Sequence, residues 1–431
     1  MISKVFKAYN KSINDSSVYE IADVTPITRA NALSKSLNNN IFLKREDLQP
    51  IFSFKLRGAY NKLSKLKKKG SNRPVIAASA GNHAQGVAYS AKKLGLKSII
   101  VMPITTPLIK INAVKNFGGK VTLFGDNFDE AYNHAVLLGK KEDYSFIHPY
   151  DDKDVIAGQG TVGKEIIEQV DFKTEAIFVP VGGGGLLAGV GTYIKSLHPE
   201  IKIIGVEPDD AACLDLAIKN NKRLSLKEVG LFADGVAVKQ IGKVTFSLIR
   251  EWIDGVVTVN VDEMCSAVQD TFQETRTIPE PAGALALAGL KKYAKSKGLK
   301  NKNLIAINSG ANLNFDRLGH IVERVQLGER KEVLLSVRIP EKKGSFRKFC
   351  KILGKRMISE FNYRAEDSEE ASIFVACRFN DSNQKTKLLK HLRSKGYSPK
   401  DLSENEVAKL HVKHMVGGRA PKSVSDKGEY L

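Results

Sequence analysis

Three short segments of this 431-residue chain combine residue types that suit an aldehyde cofactor: SFKLRGAYN at 53–61, SAGNH at 79–83 and GGGG at 182–185. The lysine of the first segment, Lys55, offers an amine that can form a Schiff base. Asn82 in the second segment offers a neutral hydrogen-bond donor, and the four glycines offer a bare backbone concavity for a phosphate. Pyridoxal phosphate requires all three groups.

The elements that must position these residues follow from the apolar pattern. Between about Asn40 and Asn312, short apolar runs alternate with longer amphipathic runs, which is typical of βαβ units around a parallel sheet. Strands are predicted at 74–78, 98–102, 120–124, 176–181, 202–206 and 304–308. Helices are predicted at 82–94, 106–117, 128–139 and 160–170.

The segment 79–83 follows one of these strands and opens a helix. It therefore lies at the carboxyl end of a strand, where open α/β folds bind ligands. Its candidate site residues are Ser79, Ala80, Gly81, Asn82 and His83. A helix cap is the alternative explanation, because serine and asparagine both cap well. His83 by itself is better explained as a hydrogen-bonded core histidine, and Lys55 by itself as a surface charge.

The glycine run also follows a predicted strand and opens a helix, so its N–H groups can hold a phosphate. The four residues are Gly182, Gly183, Gly184 and Gly185. Glu207 ends the next strand, about twenty residues on, where a dinucleotide-binding fold places the acid that holds a ribose. Nicotinamide binding is therefore the alternative for this loop. Against it, the loop lies in mid-sheet, and hydride transfer would leave Lys55 and Asn82 without a role.

Two further segments lie at the same predicted edge of the sheet. Ser309 follows the strand 304–308, and its hydroxyl suits a pyridine nitrogen, although a helix cap explains it equally well. Serine cannot be the acid that an aspartate would be, which favours immediate expulsion of a leaving group. Glu280 adds a carboxylate before an apolar helix, where a negative charge is favourable in any case.

Composition limits the class of protein. A content of 42% hydrophobic residues suits a globular chain of two or three domains. No run approaches the roughly 18 apolar residues that span a bilayer, and residues 1–16 lack a signal-peptide core, so we predict a cytosolic protein without membrane association. The four cysteines form no CxxC pair, and neither a disulfide framework nor a metal site is predicted. The net charge of +20 is spread rather than clustered, so nucleic-acid binding is not predicted.

A different module is predicted to begin after a charged stretch at 327–332. Apolar residues alternate at 333, 335, 337 and 339, and a helical stripe follows at Phe346, Phe349, Cys350 and Leu353. The full order βαββαβ predicts a ferredoxin-like unit. We therefore predict a domain at 1–328, whose smaller lobe at about 50–155 is inserted in the larger one, a second domain at 332–406, and a C-terminal extension and tail at 407–431.

Five ordered motifs give the chain a family resemblance: SFKLRGAY at 53–60, SAGNHAQG at 79–86, PVGGGGL at 180–186, EPAGA at 280–284 and SGAN at 309–312. They resemble the biosynthetic threonine dehydratases, which are fold-type II pyridoxal-phosphate enzymes. GSF at 344–346 and EFNYR at 360–364 resemble the ACT-like regulatory module of that family. The resemblance extends from about Tyr19 to Gly418.

The resemblance implies roles for individual residues. Lys55 would carry the cofactor as a Schiff base with Phe54 beside it, Asn82 would bond the 3′ oxygen of the ring, and Ser309 would face the ring nitrogen. Gly182 to Leu186 would bind the phosphate. The implied reaction is the dehydration and deamination of L-threonine to 2-oxobutanoate and ammonia, the first step of isoleucine biosynthesis. Ser79, Ala80, Gly81, His83 and Glu280 are weaker candidates for substrate contact.

Regulation is where the chain departs from the longer family members. Those members carry two ACT-like modules, which bind isoleucine as an inhibitor and valine as an activator, whereas this chain has room for one. Feedback by isoleucine and a homotetramer are expected from the resemblance alone.

Other reactions are possible on the same scaffold. They are serine dehydration, serine racemisation and, less compatible with the residues around Lys55, the β-replacement of cysteine synthases. A catalytically inactive core that serves as an amino-acid sensor is an alternative from a different class.

Overall fold

The computed structural model describes residues 4–328, 332–365, 369–379, 382–403 and 405. The chain divides into two compact units, and the division falls between Ile321 and Val322. The domain limits predicted from the sequence stay predictions, and the predicted tail at 407–431 lies outside the described residues. In the part of the chain that the structure describes, none of the helices combines the length and the apolar composition that crossing a bilayer requires.

The first unit is built from α/β elements. Its strands are β1 (Ile27–Arg29), β2 (Asn40–Arg45), β3 (Val75–Ala78), β4 (Ser98–Met102), β5 (Lys120–Leu123), β6 (Ser145–Phe146), β7 (Ala176–Pro180), β8 (Lys202–Pro208), β9 (Gly255–Val259) and β10 (Asn303–Asn308). Its helices are α1 (Lys4–Asn14), α2 (Asn31–Leu37), α3 (Lys55–Lys68), α4 (Asn82–Lys93), α5 (Leu108–Asn116), α6 (Phe128–Lys141), α7 (Lys153–Gln169), α8 (Gly185–Leu197), α9 (Cys213–Lys219), α10 (Lys243–Ile249), α11 (Val261–Thr275) and α12 (Pro281–Ser296). Helix α13 (Asp316–Gly328) runs across the division.

Two sheets organise this unit. The larger sheet has the strand order β1-β2-β10-β7-β8-β9 and is parallel except for β1, which pairs with β2 in antiparallel fashion. The smaller sheet has the order β5-β4-β3-β6 and is parallel throughout. Its strands all come between β2 and β7 in the chain, so the smaller lobe is an insertion in the larger one. This architecture is the predicted two-lobed α/β fold.

All six predicted strands are present, with ends that differ from the prediction by two residues or fewer. One helix was predicted wrongly at its start: α7 begins at Lys153 and not at 160. The Asp152 side chain caps it by accepting the N–H groups of Asp154 at 2.8 Å and Val155 at 3.2 Å. The early glycines of α7 allow close packing, since a Cβ at Gly158 would lie 2.5 Å from the Arg57 carbonyl oxygen on α3.

The second unit has the predicted βαββαβ order. Its elements are β11 (Glu332–Pro340), α14 (Ser345–Leu353), β12 (Met357–Ala365), β13 (Glu370–Arg378), α15 (Ser382–Ser394) and β14 (Lys400–Asp401). They form an antiparallel sheet of order β12-β13-β11-β14. Phe349 and Leu353 enter the core as the helical stripe predicts, whereas Phe346 stays 45% exposed. Phe346 lies on the first turn of α14, and its ring packs edge-to-face on Phe361 and Tyr363 of β12.

A buried cluster of four charges holds α3 in place. Arg57 Nε donates to Glu46 at 2.7 Å, its Nη1 donates to Glu165 on α7, and Lys44 Nζ on β2 donates to Glu165 at 2.6 Å. All four side chains are at most 1% exposed, so each charge depends on its partners in place of water. Lys55 lies two residues before Arg57, and the cluster therefore fixes the start of α3 relative to the larger sheet.

Replacing Arg57 tests this anchor. Arg57→Leu leaves two carboxylates buried beside one cation, and we expect a loss of about 3–5 kcal/mol in the free energy of unfolding. Denaturant unfolding followed by the fluorescence of Trp252, the single tryptophan of the chain, measures it. The control is Lys219→Leu, which removes an exposed ion pair within α9 and should cost less than about 1 kcal/mol. Equal midpoints for the two variants would contradict the prediction.

Candidate active site

The candidate residues meet in one cleft of the first unit. Lys55 is the first residue of α3, and Asn82 is the first residue of α4, directly after the turn that follows β3. The glycine run lies between β7 and α8, and Ser309 directly follows β10. Because these strand ends are carboxyl ends of parallel sheets, the segments converge as the sequence predicts.

Lys55 is partly accessible to solvent, and its Nζ donates a hydrogen bond to the carbonyl oxygen of Pro149 at 3.2 Å. The same nitrogen lies 5.3 Å from the centroid of the Phe54 ring. Burial lowers the pKa of Lys55 to about 8, against the opposing effect of the Glu280 charge. About a tenth of the amine is therefore in the neutral, nucleophilic form at pH 7.

A short backbone bridge ties the lysine segment to the serine segment. The Phe54 N–H donates to the Ser309 carbonyl at 3.2 Å, and the Ala311 N–H donates to the Phe52 carbonyl at 2.9 Å. The Ser309 hydroxyl is buried and donates to the Ala282 carbonyl at 3.2 Å. The segments that carry Lys55 and Ser309 are thus held together by main-chain bonds.

The glycine run forms a backbone cradle that is packed too closely against its neighbours to accept side chains. Gly184 has φ +89°, a left-handed conformation that favours glycine. A Cβ at Gly183 would lie 2.2 Å from the Tyr150 ring, and one at Gly182 would lie 2.9 Å from the Val236 Cα. Thr245 Oγ1 donates to the Gly183 carbonyl at 2.8 Å and fixes the loop. Backbone N–H groups at the start of α8 can therefore approach an anion closely.

Asn82 belongs to a chain of side-chain hydrogen bonds. Its Nδ2 donates to Glu280 Oε1 at 2.6 Å, and its Oδ1 accepts from Asn312 Nδ2 at 2.6 Å. Glu280 is 5% exposed, and burial, followed by the charge of Asp234, raises the pKa of its carboxyl to about 7. In this structure the Glu280 side chain accepts a hydrogen bond from Asn82.

The weaker candidates around Asn82 have different surroundings. Ser79 Oγ accepts the Gly81 N–H at 3.1 Å, and Ala80 and Gly81 are partly exposed in the turn. The His83 ring is 3% exposed, and its Nε2 lies 3.0 Å from the Ile147 carbonyl. Burial lowers the pKa of His83 to about 3, so the ring is neutral. This geometry supports the core-histidine explanation.

The segment between β6 and α7 was missed by the sequence analysis. Pro149 supplies the carbonyl that accepts from Lys55, and the Tyr150 ring lies against Gly183. His148 Nδ1 accepts the N–H groups of Tyr150 at 3.2 Å and Asp151 at 2.8 Å. A strand prediction at β6 would have placed this segment at the cleft, but β6 has only two residues and leaves little periodic signal.

Two ion pairs cross the cleft between the lobes. Lys110 on α5 meets Asp234 at 2.6 Å, and Lys239 meets Asp129 on α6 at 3.1 Å. Both partners from the larger lobe lie in the long connection between α9 and α10, which also contains Val236 beside the glycine cradle. This connection therefore contacts the glycine run and is also bonded to the smaller lobe.

The structure gives Glu207 a task other than ribose binding. Its fully buried carboxylate accepts the N–H groups of Leu214 at 2.7 Å and Asp215 at 2.8 Å, so it caps the start of α9. A side chain used in this way is not available to a ribose. The nicotinamide alternative loses its acidic residue.

Comparisons with known proteins agree with this geometry. A family model described as pyridoxal-phosphate dependent enzyme matches residues 19–310, and one described as the C-terminal regulatory domain of threonine dehydratase matches residues 323–412. The chain is also 49% identical over 420 residues to the biosynthetic L-threonine dehydratase IlvA of Escherichia coli, which covers 97% of this chain and 82% of that relative. The chain belongs to the threonine dehydratase family of pyridoxal-phosphate-dependent enzymes.

Solved structures show the same relationship. The processed form of threonine deaminase isoform 2 from Solanum lycopersicum is 47% identical, with a TM-score of 0.74, and the alignment covers 75% of this chain and 89% of that one. A serine racemase from Dictyostelium discoideum is 31% identical, with a TM-score of 0.66 over 72% of this chain and 99% of that one. Both support the fold-type II architecture.

The residues of the cleft fit pyridoxal phosphate, the cofactor of this family. The test is the glycine run, because a Cβ at Gly183 would collide with the Tyr150 ring, so this loop accepts no side chain and keeps a bare backbone. Lys55 supplies an amine whose pKa burial lowers to about 8, and Asn82 supplies an amide N–H. The predicted roles of these residues and of Leu186, which is 4% exposed at the start of α8, stay predictions.

The lowered pKa of Lys55 predicts how cofactor uptake depends on pH. Because the neutral amine is the nucleophile, the uptake rate of the apo protein should rise about tenfold per pH unit below 8 and level off above it. Stopped-flow absorbance with added pyridoxal phosphate measures the rate. Nα-acetyl-lysine is the control and should level off only near about pH 10.4. A protein rate that still climbs through pH 9 would contradict the lowered pKa.

Proposed function

We propose that this protein is a threonine ammonia-lyase, which converts L-threonine to 2-oxobutanoate and ammonia as the first step of isoleucine biosynthesis, a branched-chain amino-acid pathway. The observation that carries the proposal is the 49% identity over almost the whole chain to a biosynthetic L-threonine dehydratase. The cleft supports it with Lys55, Asn82, the glycine cradle and Ser309 in one place. The resemblance stated from the sequence leads to the same activity.

Bound pyridoxal phosphate supplies an electron sink that acidifies the Cα–H bond of an attached amino acid. Lys55 holds the group and, in its neutral form, takes the Cα proton of threonine. The β-hydroxyl would gain a proton and leave as water, and Lys55 would take up the group again as the enamine departs. The enamine would tautomerise, and water would hydrolyse it to 2-oxobutanoate and ammonia. Burial lowers the pKa of Lys55 to about 8 and so increases the fraction of the neutral form that can take this proton.

Ser309 favours elimination over slower carbanion chemistry. Its hydroxyl is neutral and cannot serve as the strong acid that an aspartate beside a ring nitrogen would be. The electron sink would then be weaker, which favours a reaction in which a leaving group departs at once from the carbon next to Cα. Threonine provides that group at its β carbon.

The alternative reaction is serine dehydration or racemisation on the same scaffold. The observation that favours it is the structural likeness to a serine racemase, at 31% identity over 72% of this chain. The match to the regulatory domain of threonine dehydratase at 323–412 and the higher identity to threonine dehydratases favour threonine.

Release of 2-oxo acids from L-threonine and L-serine, assayed in parallel, tests the proposal. We expect rapid 2-oxobutanoate release, with a threonine preference of about 10-fold or more if a pocket accepts the methyl group. Lys55→Ala should lower the rate at least about a hundredfold, as for loss of a general base. The exposed Lys67 on the same helix provides the control Lys67→Ala. Parent-like turnover by Lys55→Ala, or no 2-oxo acid from the parent protein, would contradict the assignment.

The second unit matches a regulatory domain, and we propose that it confers feedback control on a homotetramer. Isoleucine would be the inhibitor and valine the activator, as the family resemblance implies. The support is the domain match at 323–412 and the ferredoxin-like order of its elements. The cytosolic location stays a prediction from the sequence.

Effector addition tests this control. L-isoleucine should suppress 2-oxobutanoate release, L-valine should relieve the suppression, and D-isoleucine, the control of equal hydrophobicity, should have no effect. Sedimentation should give about four times the chain mass of 47.3 kDa. Full activity in excess L-isoleucine would remove the regulatory proposal and leave the activity in place.

A further inference from the structure

The hydrogen-bond chain behind Asn82 suggests a role for two residues outside the cofactor contacts predicted above. We propose that Asn312 and Glu280 are positioning residues, which fix the side-chain amide of Asn82 so that it presents one N–H group to the cofactor. This inference rests on the proposed function, because it assumes that the cleft binds pyridoxal phosphate. It also gives Glu280 a role other than the substrate contact considered from the sequence.

The orientation of the amides in this series of hydrogen bonds is set by the backbone carbonyl of Ile51. Asn312 Nδ2 donates to the Ile51 carbonyl oxygen at 2.9 Å and to Asn82 Oδ1 at 2.6 Å. A carbonyl oxygen only accepts hydrogen bonds, so the nitrogen of the Asn312 amide must face Ile51. Both N–H groups of Asn312 are used, and the atom of Asn82 that faces them must be its oxygen.

The orientation of Asn82 follows from that of Asn312. With its oxygen toward Asn312, Asn82 directs Nδ2 to Glu280 Oε1 at 2.6 Å. A flipped amide would set the N–H donors of Asn82 and Asn312 against each other. In the observed orientation, the second N–H of Asn82 has no partner among the described residues and is available to a ligand.

The carboxylate of Glu280 is held by its own surroundings. Its backbone N–H donates to the Gly310 carbonyl at 3.1 Å, and its own carbonyl accepts from Gly283 at 2.8 Å in the first turn of α12. A Cβ at Gly310 would lie 2.7 Å from Glu280 Oε1, so the absence of a side chain there leaves room for the carboxylate. The acceptor for Asn82 is thus fixed by packing.

Asn312→Asp tests this relay, the hydrogen bonds from Asn312 through Asn82 to Glu280, because an aspartate side chain cannot donate to Ile51 or Asn82. We expect the apo protein to bind pyridoxal phosphate about 10- to 100-fold more weakly, the effect of a lost buried hydrogen bond with repulsion between acceptors, and the absorption maximum of the bound cofactor to shift. Asn314→Asp makes the same charge change two residues away and should alter affinity less than about threefold. Equal affinities and identical spectra for the two variants would overturn the proposal.

A double-mutant cycle separates positioning from a general structural effect. In an Asn82→Ala background, Asn312→Asp should cause no further loss of cofactor affinity, because its target is gone. The same fold loss in both backgrounds would show that Asn312 acts independently of Asn82 and would overturn the proposal. Asn312→Ala provides a second variant, and Trp252 fluorescence identifies any variant that fails to fold.

Glu280 variants test the other end of the relay. Glu280→Gln keeps an oxygen acceptor for Asn82 and should retain cofactor affinity within about threefold, whereas Glu280→Leu should lose about tenfold or more. Equal losses in both variants would contradict a role as hydrogen-bond acceptor. Failure of the dehydratase proposal is a separate outcome: the parent protein would bind pyridoxal phosphate but release no 2-oxobutanoate.

Discussion

The buried charge cluster around Arg57 is the constraint on which the cleft depends. Two cations and two carboxylates can lie away from water only if each meets its partners at hydrogen-bond distance, so the cluster admits a narrow range of placements for β2, α3 and α7. Lys55 lies at the start of α3. The residue that would carry the cofactor is therefore positioned by charges that have no part in the chemistry.

Inside the cleft, burial adjusts the pKa values of the side chains, and backbone N–H groups provide the anion site. Desolvation lowers the pKa of Lys55 to about 8 and that of His148 to about 4, so His148 is neutral near pH 7 and Lys55 has more of its neutral form than a solvated lysine. The anion site is built from glycines, with Tyr150 packed against Gly183. The Glu280 carboxylate accepts a hydrogen bond from Asn82. The anion site is thus formed by backbone groups, and the ion pairs of the cleft lie between the lobes.

The same strand-end geometry admits more than one cofactor class, and single contacts distinguish them. A glycine run after one strand and Glu207 after the next are compatible with a dinucleotide fold when only spacing is considered. The structure excludes that assignment at Glu207, whose carboxylate caps α9. Lys55, Asn82 and Ser309 remain, and they belong to the chemistry of an aldehyde cofactor.

The sequence by itself predicted six of the ten strands of the first unit, the βαββαβ order of the second unit and most of the segments that form the cleft, because apolar periodicity and turn residues act over a few neighbouring positions. Only the tertiary structure decided what individual side chains contact. Glu165 reaches Lys44 across 121 positions, Asn312 reaches Asn82 across 230, and Tyr150 reaches Gly183 from a segment with almost no periodic signal. Such contacts depend on how whole elements pack, which no local pattern encodes.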